Sequence, residues 1–112
     1  MIVMNDLNAC IKIAAYICAK DGVISEAEEK MLFQLAIEGF PNASADDIEL
    51  ALCEFFDSNQ LLEDYLGLVD DEELRRFTLD LAATSASADG LSLEENIALN
   101  KVKLIWGAVQ NV

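Results

Sequence analysis

Two short stretches, AKDGVISEAEE at 19–29 and SADGLSLEE at 87–95, break an apolar helical pattern at Asp-Gly and restart it almost at once. A turn built once is local chemistry, but the same turn built twice dictates architecture, because each copy must join two helices into a hairpin. Glycine just past a helix end supplies the left-handed backbone that releases the last carbonyls at little steric cost. Ser25 with Glu28, and Ser92 with Glu95, then match the S-x-x-E capping box, in which serine accepts from the third helical amide and glutamate reaches back to the cap amide. Ile24 and Leu91 are placed to pin each connection to a core.

The register of the two copies extends beyond the turns. Aligning Asp21 with Asp89 (89 − 21 = 68) places Ile11 on Leu79, Ala14 on Ala82 and Ala15 on Ala83. Past the turn the second copy is one residue shorter, so that Ser25 falls on Ser92, Glu28 on Glu95 and Leu32 on Leu99. The helical period predicts a first helix from about Asn5 to Lys20, with Ile13 and Ile17 widening its apolar face enough to make it central. A second helix from about Glu26 to Glu38 is expected to stop at Gly39 and Pro41, and Ser44 to Asp47 to cap a third that ends near Asp57-Ser58. A short helix over Gln60 to Leu66 follows, with Gly67 as its exit. The acidic run Asp70 to Glu73 suits the positive end of a fifth helix reaching about Ala88, and a last helix begins after Ser92. Phe55-Phe56, Leu99, Val102, Ile105 and Val109 are expected inward, and Trp106 to pack in the core or at its edge. The fold class is all-α: a compact bundle of about six helices, in which two helix-DG turn-helix repeats are related by approximate two-fold symmetry and residues 1–112 form a single domain. At 112 residues such a chain buries roughly two thirds of its unfolded surface.

Charge narrows the functions. Seven Lys and Arg against 21 Asp and Glu give 7 − 21 = −14, a field that repels nucleic-acid backbones and anionic lipid and attracts cations and basic protein surfaces. Arg75-Arg76, among so many acids, is expected to pair with neighbouring carboxylates. The chain has no histidine, which removes imidazole bases, His-dependent triads and His-ligated zinc, and no nucleophile stands beside an evident base. An enzyme is therefore not expected. Cys10, Cys18 and Cys53 form no C-x-x-C pair and fall at apolar helical positions, where a free thiol acts as a small buried hydrophobe. With no secretion signal in MIVMND and no apolar run long enough to span a bilayer, the expected setting is cytoplasmic, without direct membrane insertion.

Two readings of the corners stay open. In the first, Asp21 and Asp89 bond nearby amides and the serine-glutamate pairs cap helices, nothing more. In the second, the same turns also hold a divalent cation, calcium or magnesium, with Asp21, Glu28, Asp89 and Glu95 as ligands. Neither corner is an EF-hand: with Gly22 at the glycine position, Ile17 and Ala19 occupy ligand positions, and with Gly90 there, Ser85, Ser87 and Asp89 fit but Asn96 replaces the closing glutamate.

The stretch Cys18-Ala19-Lys20-Asp21-Gly22-Val23-Ile24-Ser25-Glu26-Ala27-Glu28 resembles the A-x-x-D-G-x-I-S-x-x-E signature of the TerB-like tellurite-resistance family, with Cys18 in place of the leading alanine. Ala86 to Glu95 resembles that family's second hairpin, and the resemblance covers nearly the whole chain. It implies an all-helical module of bacterial stress responses, non-enzymatic, working in membrane-linked or metal-sensing complexes. It also implies that the acidic residues of the turns, here Asp21, Glu28, Asp89 and Glu95, contact metal. The alternative is a purely protein-binding domain, a scaffold, co-chaperone accessory or inhibitor of a basic partner, whose corners only cap helices.

Overall fold

A computed structural model describes residues 4–21, 24–58, 60–88, 90 and 92–107, with Met4, Asn5 and Asp21 described in backbone only. The elements are α1 (Met4–Cys18), a 3-10 turn (Ala19–Asp21), α2 (Glu26–Gly39), α3 (Ala45–Asp57), α4 (Leu62–Leu66), α5 (Glu72–Ala86) and α6 (Leu93–Trp106), with no strand among the described residues. No helix among them is long and apolar enough to cross a membrane.

The breadth of the apolar face on α1 explains its place. Leu7, Cys10, Ile11, Ile13, Ala14, Ala15, Ile17 and Cys18 are all buried, which leaves little of the helix for solvent, and α2 to α6 all pack around it. On its polar edge Lys12 pairs with Glu54 of α3 at 3.0 Å, and Asn8 donates to the same carboxylate at 3.1 Å.

The two hairpins interlock. The second helix of each reaches across to the other hairpin: α2 packs more closely on α5 than on α1, while α6 leans on α1 and on the turn that ends it. At the centre, the Thr78 hydroxyl, which donates to the Leu74 carbonyl at 2.7 Å, lies 3.0 Å from Cys10 Sγ. These residues are 78 − 10 = 68 positions apart, the offset that aligns Asp21 with Asp89. The contact ties α1 to α5 at aligned positions of the two sequence copies. Leu32 and Leu99, equivalent past the turns, are likewise both buried.

The direction of α2 against α5 places the corners. Gly39 comes so close to Phe77 that a Cβ there would run into the ring, while Leu35, one turn earlier, shares a cavity of about 280 Å³ with Leu81 and Thr84, later in α5. The two helices are therefore antiparallel, and the start of α2 lies beside the end of α5. Because the first corner precedes α2 and the second follows α5, both sit at one end of the bundle. The packing of α6 on Ala19–Asp21 agrees with this.

Several sequence expectations are corrected. Gly39 does not end α2 through a left-handed turn; it is the last helical residue, Phe40 caps the helix, and what needs glycine is the approach of Phe77, whose ring meets Phe40 edge-on with centroids 5.5 Å apart. Phe55 packs against the core, its ring 6.2 Å from that of buried Tyr65, but Phe56 is 60% exposed, because the inward face of α3 runs through Ile48, Ala51, Leu52 and Phe55. Ile105 is about half exposed: the buried stripe of α6 runs Glu95, Ala98, Leu99, Val102, and Ile105 is off its line; Val109 lies outside the described residues. Cys53 is exposed on the outer side of α3. Arg75 and Arg76 make no ion pair among the described residues; Arg75 instead donates from Nε to the Val69 carbonyl at 2.8 Å and lies over the Trp106 ring.

The cysteines separate in reactivity. Burial pushes the Cys10 thiol from its ordinary 9.0 up to about 12, outweighing the hydrogen bond to Thr78. A raised thiol pKa favours the folded state while the unfolded thiol would be protonated, so this contribution is complete below pH 9.0 and is lost as pH climbs toward about 12. Iodoacetamide at neutral pH is expected to label Cys53 in the native protein more than about 100-fold faster than Cys10 or Cys18, a ratio readable by mass spectrometry and abolished in denaturant.

Candidate cation site at the paired helix corners

Each corner is organised by its capping box. At the first, the Ser25 amide donates to Glu28 Oε1 at 2.8 Å and the Glu28 amide to Ser25 Oγ at 3.1 Å. At the second, the Ser92 amide donates to Glu95 Oε1 at 2.9 Å and the Glu95 amide to Ser92 Oγ at 3.1 Å. Both serines are extended, with ψ of 163° and 164°, so the chain enters α2 and α6 in the same way. Gly90 has φ +100°, a conformation that a side chain disfavours, which accounts for glycine after Asp89.

What separates these boxes from ordinary surface caps is depth. The box at the start of α3, Ser44 with Asp47, has the same hydrogen bonds but lies in solvent. Glu28 and Glu95 are buried, at 2% and 0% exposure. One oxygen of each answers a cap amide. The second oxygen of Glu95 is buried with no hydrogen-bond partner among the described residues, and so is the hydroxyl of Ser85, one turn before the second corner. A buried carboxylate oxygen left unanswered is costly, and such atoms in native proteins mark a missing donor, water or ion.

Of the residues expected as ligands, the structure thus places Glu28 and Glu95 at equivalent buried positions at one end of the bundle. The Asp21 side chain and all of Asp89 lie outside the described residues. Among the described residues no group of three or more His, Cys, Asp or Glu side chains is gathered in a way that could hold a metal. Ser85 entered the sequence reading only as a position in a calcium-loop alignment. Its clearer signal was register: Ser85 is equivalent to Ile17 (85 − 17 = 68), a core position where one copy carries a hydroxyl and the other an isoleucine.

Comparison of the chain with models of protein families, with curated proteins and with solved structures finds no match.

Proposed function

We propose that this protein is a non-enzymatic, TerB-like stress-response module: an acidic protein-interaction domain that also takes a divalent cation, calcium or magnesium, weakly at its paired corners. The observation that carries the cation half is the second carboxylate oxygen of Glu95, buried and without a partner among the described residues at the end of the bundle where both corners lie. The residues fit a hard cation: Asp21, Glu28, Asp89 and Glu95 offer oxygen donors only, and the corners carry no histidine or cysteine that would favour a softer metal. When bound, the ion would supply positive charge to the Glu28 and Glu95 carboxylates, which the fold holds out of water. Glu28 and Glu95 keep one oxygen each on the cap amides, which fixes the carboxylate planes before any ion arrives. The interaction half rests on the net charge of −14, which steers basic protein surfaces toward the domain and keeps nucleic acid away, whether the partner is free or part of a membrane-linked complex.

A second reading, a purely protein-binding scaffold whose corners only cap helices, is favoured by the completeness of the boxes at Ser25-Glu28 and Ser92-Glu95. Titration of calcium or magnesium into labelled protein, followed by NMR, separates the two. Saturable shifts at the amides of Ser25, Glu28, Ser92 and Glu95 at millimolar ion, lost in Asp21→Asn with Asp89→Asn, are the expected result. Unmoved corner amides, with the double variant changing melting temperature alone, would leave the scaffold reading standing.

A further inference from the structure

At the opposite end of the α5–α6 hairpin from its corner, a cleft of about 490 Å³ opens between the start of α5 and the end of α6, lined by Asp70, Glu72, Arg75, Arg76, Leu79 and Trp106. Its size falls within the range of small-molecule sites. Three observations set it apart from the rest of the surface.

In a chain of seven cationic and 21 anionic side chains, two adjacent guanidinium groups line one cavity and neither makes an ion pair among the described residues. Arg75 is held in place: its Nε donates to the Val69 carbonyl, and its guanidinium carbon lies 5.3 Å from the centre of the Trp106 ring. Finally, Trp106 Nε1 is buried and has no acceptor among the described residues. An indole N–H can only donate, and no described residue accepts from it.

The charges lining the cleft select the ligand. Two carboxylates and two guanidinium groups sum to zero, so a phosphate dianion would meet Asp70 and Glu72, and a simple amine would meet Arg75 and Arg76. A zwitterion answers both pairs. We propose that this cleft binds a free apolar α-amino acid. Its carboxylate is received by Arg76 and the outer nitrogens of Arg75, its ammonium by Asp70 and Glu72, and its side chain by Leu79 and the edge of the Trp106 ring. Guanidinium is the group best matched to a carboxylate, because it presents two parallel donors. The site shares no residue with the corners, and the proposal stands apart from the cation reading.

Trp106 is the only tryptophan, so its emission reports on the cleft directly. Titration with L-leucine is expected to give a saturable change with a Kd between about 10 µM and 1 mM. Arg76 is exposed, so Arg76→Gln should fold normally, as circular dichroism can verify, and weaken leucine at least about 10-fold. Glu72→Gln should weaken leucine while leaving isocaproate, the same molecule without its amine, unchanged. No saturable response to L-leucine by fluorescence or calorimetry would overturn the proposal. So would tighter binding of inorganic phosphate than of leucine, or an Arg76→Gln variant that binds leucine as well as the parent.

Discussion

Ile13→Ala is expected to lower the free energy of unfolding by about 3–4 kcal/mol, a large share of the stability of a domain this size. Ile13 has no exposed surface and sits in the one helix that every other helix packs around. A cavity there is bounded by elements held from several sides, so it cannot collapse as one at a bundle's margin can, and the cost belongs in the upper part of the large-to-small range. At roughly 4 °C or more per kcal/mol, the melting temperature should fall by at least about 12 °C. Leu50→Ala, on the outer side of α3 at 59% exposure, is the control and should stay within about 0.5 kcal/mol. Thermal melting by circular dichroism, with urea titration as a second measure, decides. A loss under about 1 kcal/mol at Ile13 would mean that α1 is not the central helix.

That centrality was legible in the sequence because Ile13 and Ile17 extend the stripe of Leu7, Ile11 and Ala14 around the helix, and only a helix covered on several sides needs so wide a face. The corners were legible for a related reason. Ser25-Glu28 and Ser92-Glu95 carry their partners within three residues, so the capping geometry is encoded locally and survives whatever the rest of the chain does. What depends on a distant neighbour was not. Gly39 does mark the end of α2, but the need for glycine there comes from Phe77, which presses against it from α5. Phe56 reads as core because periodicity tells which way a side chain points along α3 but not where the covering helices end. Arg75 and Arg76 read as partners of nearby acids. Glu72 stands at helical spacing to both, but Arg75 is taken by a carbonyl before α5 and an indole ring of α6, partners that spacing along one helix does not reveal. The depth of Glu28 and Glu95 was likewise invisible, since a capping box at the surface, as in Ser44-Asp47, has the same sequence pattern as one in the interior.

Depth is what makes the second large effect. Glu95→Ala is expected to cost about 2–3 kcal/mol, well above the ~1 kcal/mol of an ordinary cap, because it combines two losses. The Ser92 amide loses the acceptor it has among the described residues, and the methylenes of a side chain with no exposed surface leave a void in the interior. Glu28→Ala should behave alike at the equivalent place, whereas Asp47→Ala in the solvent-exposed box of α3 should cost no more than about 1 kcal/mol. Glu95→Gln distinguishes packing from charge. The amide oxygen can still accept from Ser92 and the shape is kept, so without added cation the loss should stay under about 1 kcal/mol. If the corner holds a cation, the parent should gain stability in millimolar calcium as mass action requires, and Glu95→Gln should not, having lost the anionic oxygen that has no partner among the described residues. Equal calcium response in parent and Gln variant would assign Glu95 to capping alone. A neutral Glu95→Ala would go further and remove the buried box as the element that fixes how α6 leaves the second corner.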